Sequence, residues 1–164
     1  MYRICFIVLM LAFVGCNKVS KENQPTSLVQ AKGVDQFKLT GTSWHISTII
    51  AHEGTVDKEL YLTKIPKQDT EDFFPNGNFI HFNTNGTFTC DYAAECGNDC
   101  FPESNGKYSF IGAEQLAFKV DSFATAGICD EIHLNFKPNE LVYDIIQTSD
   151  STFVLKNKRG TLKW

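Results

Sequence analysis

The chain has 164 residues, 43% of them hydrophobic and 21% charged, with 19 acidic against 15 basic side chains and a formal charge of −4 at neutral pH. That length suits one ordinary domain with a buried core. An acidic balance, Arg159 as the sole arginine beyond Arg3, and the lack of a basic stripe interleaved with aromatics argue against nucleic acid as a partner, because phosphate neutralisation dominates that affinity.

Residues 4–15 form an apolar run behind Arg3. The run falls short of the roughly 20 residues needed to span a hydrocarbon core, and a basic flank before a short apolar stretch is the pattern of an export signal. Phe13-Val14-Gly15-Cys16 resembles the lipobox of bacterial lipoproteins. That resemblance implies removal of residues 1–15 and a diacylglyceryl thioether plus an amide acyl chain on Cys16. Two or more acyl chains make such an anchor stable. Asn17, where an Asp would signal retention, points to the outer membrane rather than the inner one, with the leaflet open. The expected location is therefore the cell envelope, and one expected partner is the membrane itself, through the N-terminal lipid. Without residues 1–15 about 149 remain, and with Arg3 gone their charge is near −5.

Residues 16–33 are polar, including Lys18, Lys21, Glu22, Asn23, Gln24 and Pro25, and read as a lipidated flexible tether. A coil of that length holds its domain on the order of 20 to 25 Å from the lipid. The domain itself is expected over residues 34–164.

There, apolar residues recur with period two in short runs between turn residues, the pattern of half-buried antiparallel strands. Trp44, Ile46 and Ile50 open the series, and Leu60, Leu62 and Ile65 follow. Ile80 and Phe82 then alternate with His81 and Asn83. Asn85-Gly86 tolerates positive φ at both centres of a type I′ turn, which predicts a hairpin between residues 78–83 and 87–92. Tyr108 and Phe110, then Leu116, Phe118 and Val120, continue the pattern. A helix is weakly supported everywhere except at residues 121–129, where Asp121-Ser122-Phe123-Ala124-Thr125-Ala126 could make one turn. Ile132, Leu134 and Phe136 precede a turn at Pro138-Asn139; Leu141, Tyr143 and Ile145, then Phe153 and Leu155, and finally Leu162 and Trp164 complete the chain. Eight to ten such strands imply an all-β, mainly antiparallel, closed or nearly closed small barrel with at most one short helix, because an open sheet this long would leave unpaired edges. The 14 phenylalanines are expected to fill its core rather than line a ligand cavity.

Cys90, Cys96, Cys100 and Cys129 remain after the signal and the lipidated cysteine are set aside, an even count that suits an oxidising compartment. Three pairings are open. A metal site from Cys90, Cys96 and Cys100 with His81 and His133 is disfavoured, since structural zinc sites use closer cysteine pairs. No metal and no cofactor is called for. His45, His52, His81 and His133 are the only histidines, and spacing assigns no Ser or Cys partner to any of them; His81 and His133 are expected on outward strand faces. Asp69, Glu71 and Asp72, and likewise Glu95, Asp99 and Glu103, read as solvated loop carboxylates. Phe73 and Phe74 are adjacent and so point to opposite faces of an extended chain, which leaves one as an exposed anchor or as a plug over the barrel end. Asp150-Ser151-Thr152 resembles a short O-glycosylation acceptor and equally suits a hairpin turn.

Leu39-Thr40-Gly41-Thr42-Ser43-Trp44-His45-Ile46 resembles the opening strand of lipocalin-like lipoproteins and of META-domain proteins. The META-like pattern continues in Cys100, Gly106-Lys107-Tyr108, Thr125-Ala126-Gly127-Ile128-Cys129, Tyr143-Asp144-Ile145, Phe153-Val154-Leu155 and Gly160-Thr161-Leu162. The chain departs from it at Cys100-Phe101, where the pattern has Cys-Asn, and in having only two residues between Cys129 and Ile132. The resemblance implies a β-barrel, a Cys100 to Cys129 bridge that leaves Cys90 with Cys96, and no catalytic residue. The expectation is thus a noncatalytic, lipid-anchored envelope protein that binds a small apolar ligand or an envelope protein through Trp44, Phe73 and Phe74. Its alternatives are a structural or stress-protective module with a solid core, and an enzyme whose site is dispersed along the chain.

Overall fold

The computed structural model describes residues 38–65, 76–95 and 98–163. The lipobox with Cys16, the tether, the Phe73-Phe74 pair, the acidic cluster of Asp69, Glu71 and Asp72, and Cys96 all lie outside these residues.

Among the described residues there are nine strands: β1 (Thr42–Ile46), β2 (Glu59–Lys64), β3 (Gly77–Phe82), β4 (Thr87–Ala93), β5 (Cys100–Ile111), β6 (Gln115–Gly127), β7 (His133–Asn135), β8 (Leu141–Ser149) and β9 (Thr152–Arg159). Every pairing is antiparallel. Eight strands close in the cyclic order β1-β2-β9-β8-β6-β5-β4-β3, and β7 lies on the flank of β6. The all-β barrel expected from the alternation is the observed architecture.

The sequence order is broken at one place. β1 pairs with both β2 and β3, so these two flank it and run the same way. β2 in turn meets β9, which joins the front of the domain to its end.

Period two places Trp44 and Ile46, Leu60 and Leu62, Ile80 and Phe82, Leu116 and Phe118, Tyr143 and Ile145, and Phe153 and Leu155 in the barrel interior, all buried. The interior rings meet in two groups. Phe118 meets Phe88, Tyr143 and Phe82 at centroid distances of 5.0, 5.9 and 6.3 Å, Phe82 meets Tyr108 at 5.0 Å, and Trp44 meets Phe153 edge-on at 5.2 Å. An eight-stranded barrel is just wide enough to be filled by its own side chains, and this one is filled by aromatics.

Two local expectations are corrected. Residues 121–129 make no helical turn; β6 continues through Gly127. The alternation breaks because the register against β5 shifts between Asn105 and Gly106, so that Gly106 faces Val120 while Asn105 faces Ser122, leaving Asp121 as the extra residue of a bulge. The bulge lets Val120 and Phe123 both point inward. The β3–β4 hairpin is present over the predicted residues, but its turn is not type I′. Gly86 alone has positive φ, the Gly86 amide donates to the Asn83 carbonyl, and Asn83 pairs with Thr87, which makes a three-residue loop ending in a left-handed glycine. The Asn85 carboxamide oxygen accepts from the Thr87 amide and hydroxyl and fixes that shape. A short 3-10 turn spans His52–Gly54.

Candidate functional site

The disulfide joins Cys100 to Cys129, with their Cα atoms 5.2 Å apart. Nearby, Asp99 accepts from the Tyr92 hydroxyl and from the Cys100 amide, so this carboxylate organises the bridged loop instead of being merely solvated. The second expected bridge, Cys90 to Cys96, is corrected: Cys90 is a free thiol. The reason is its position in the strand. Cys90 lies on the inward face of β4 opposite Ser104, fully buried, and burial pushes its pKa up to about 12.

Trp44 also belongs to the interior. It is 2% exposed, and its indole N–H donates to the Thr42 hydroxyl. It packs the core, so its ring is not part of the outer surface. Among the described residues no group of three His, Cys, Asp or Glu side chains is placed to hold a metal ion.

The barrel wall carries what the spacing of residues did not show. β1, β3 and β4 are neighbours, and their pairing sets Ser43 opposite His81 and His81 opposite Thr89. The Ser43 hydroxyl lies 2.7 Å from His81 Nδ1, and His81 Nε2 lies 3.4 Å from Asp91 Oδ2. These residues line an open groove together with Gly41, Thr42, Phe82, Asn83, Thr84 and Thr89. Contact with the Asp91 carboxylate raises the His81 pKa above the ordinary histidine value, and partial burial of the ring opposes the rise. His81 does face outward as alternation predicts, yet it has the serine partner that sequence spacing could not assign. Cross-strand register was the missing information.

One register row below, His45 faces Phe79 and Phe79 faces Asp91. The Phe79 ring is 3% exposed although it lies on the outer wall, with its centroid 4.5 Å from that of His45 and 6.4 Å from that of His81. His52 stacks edge-on against Phe123, and His133 pairs with Glu131 on the surface. On the far side of the barrel Tyr61, Val154 and Ile146 share a row across β2, β9 and β8, with Tyr61 50% and Ile146 40% exposed.

Comparison with protein-family models, with curated proteins and with solved structures returns no match.

Proposed function

We propose that this is an envelope protein, held to lipid through Cys16, whose barrel works from its outer wall in contact with another envelope component and does not carry an apolar small molecule inside. One observation supports this reading above the others: the interior is occupied by Trp44, Phe82, Phe88, Phe118, Phe123, Tyr143 and Phe153, each nearly inaccessible and most in ring contact. A carrier of apolar ligands needs several hundred Å³ of such space left open. The outer wall supplies features that an envelope component can meet, the Tyr61-Val154-Ile146 row and the polar groove at His81. The Cys100–Cys129 bridge fits an exported protein. It is also the pairing that the META-like resemblance implies, and we take that family as the working relationship.

The same filled interior suits a purely structural module. Native mass spectrometry of the protein isolated from its own envelope separates the readings. The expected spectrum shows a mature chain with acylated Cys16 and a co-purifying polypeptide or polar envelope component. A stoichiometric apolar ligand retained by the folded barrel overturns the solid-core reading. An unmodified Cys16 removes the anchor, and a barrel that never carries a partner leaves the structural module in its place.

A further inference from the structure

We propose that Ser43, His81 and Asp91 form a serine-nucleophile site on the outer wall of the barrel, acting on small activated carboxylic esters. The proposal goes beyond the surface-contact reading and does not depend on it.

The geometry gives each residue one role. A histidine activates a serine when one ring nitrogen accepts the hydroxyl proton while the other is held by a third group. Here Nδ1 faces the Ser43 hydroxyl at 2.7 Å and Nε2 faces the Asp91 carboxylate at 3.4 Å. The ring proton on Nε2 is the one a carboxylate favours, and that tautomer leaves Nδ1 free to act as a base. Three adjacent strands hold the trio, so its spacing is set by the sheet and not by a loop. Ser43 is exposed, His81 and Asp91 are each about one third exposed, and all three line the same groove.

The chemistry balances with water as the only co-substrate. Ser43 Oγ attacks the ester carbonyl carbon while its proton passes to His81 Nδ1. The imidazolium, steadied by Asp91, then gives that proton to the departing alkoxide oxygen as the C–O bond breaks. A water molecule, losing a proton to the same nitrogen, attacks the acyl-Ser43 carbonyl and releases the carboxylic acid, and the proton returns to Ser43 Oγ. The net change is ester plus water to acid plus alcohol.

The substrate class follows from what surrounds the trio. Oxyanion stabilisation is often the largest single contribution, with one donor worth about 10²- to 10³-fold. The amides flanking Ser43 lie within strand β1, and Thr89, the next hydroxyl in the register row, stands beyond His81 and two strands from Ser43, so the trio is assigned no dedicated oxyanion hole. General-base help from His81 alone is worth about 10²- to 10⁴-fold. That is enough for an ester with a good leaving group and too little for an amide.

The test uses the full chain and a fluorophosphonate probe, with the adduct located by peptide mass mapping, alongside hydrolysis of p-nitrophenyl acetate. The expected adduct is on Ser43 and not on Ser109, an exposed strand serine elsewhere on the barrel. Ser43→Ala abolishes it, and His81→Asn slows it by about 10²-fold. His81 is on the surface, so the thermal transition of His81→Asn is expected to match that of the parent and to separate lost activation from lost folding. The labelling rate should rise with pH as His81 loses its proton, and Asp91→Asn should move that rise to lower pH. The other titratable groups near this pair are Glu103, opposite Asp91 on β5, and His45, one row along β1. Labelling of Ser43 no faster than of Ser109, or an equal rate in His81→Asn, overturns the proposal and reduces the trio to a surface hydrogen bond that serves the sheet.

Discussion

Gly106 and Lys119 approach so closely across the β5–β6 pair that a methyl group on Gly106 would stand 2.1 Å from the Lys119 carbonyl oxygen. The bulge at Asp121 depends on that approach, because it is where the register of the two strands shifts. Gly106→Ala must therefore push backbone against backbone. The expected cost is about 2 to 4 kcal/mol, read as a drop in the midpoint of urea unfolding. An unchanged midpoint means that the bulge relaxes freely and that β6 is not held as described.

Phe118 is the hub of the interior, in contact with three other rings and 0% exposed. Phe118→Ala is expected to destabilise by about 3 to 5 kcal/mol. Ile146→Ala, at a position 40% exposed, should stay within about 0.5 kcal/mol. Similar losses at the two positions would contradict a packed barrel.

Alkaline pH acts on two buried groups in the same direction. Cys90 and Tyr143 are both pushed up to about 12 by burial, from ordinary values of 9.0 and 10.0. Each ionises in the unfolded chain before it does in the folded one. Their contribution to stability is complete below pH 9 and is lost as pH climbs from 9 toward 12. Chemical denaturation at pH 7, 9 and 10.5 should show a progressive fall across the last interval. In the folded protein Cys90 should also resist Ellman's reagent at pH 8 and react only on unfolding; rapid reaction of the native state would place the thiol outside the core.

The bridge closes a loop with a sequence separation of 29. On chain-entropy grounds its removal costs about 3 to 4 kcal/mol. The double variant Cys100→Ser, Cys129→Ser should show that loss in thermal or urea unfolding, and non-reducing peptide mapping of the parent should recover Cys100 joined to Cys129. Recovery of Cys90 in any disulfide-linked peptide would contradict the free thiol.

Much of this barrel is legible in its sequence, because alternation is a local property. Ile80, His81 and Phe82 announce which side of the strand each will occupy, and Asn85-Gly86 announces that the chain turns back there. What failed was non-local or depended on one residue too many. Asp121 interrupts the period of β6 and looks like the start of a turn until the partner strand shows it as a bulge. Nothing in the residues themselves places β1 between β2 and β3. Ser43 and His81 are 38 positions apart, and their meeting is decided by that placement and its register. The fate of Cys90 was hidden for the same reason: its neighbours in sequence offered cysteines, while its neighbour across the sheet is Ser104.

The meeting of β2 with β9 carries one more consequence. β9 is the strand that bridges β2 to β8 and so closes the cylinder. No intermediate that lacks β9 can seal itself. A chain stopped after Ser149 would offer the free rims of β2 and β8 to any other strand nearby, so its fate would be self-association. The pairing of β9 with both neighbours is what covers those rims and turns a sticky ribbon into a closed cylinder.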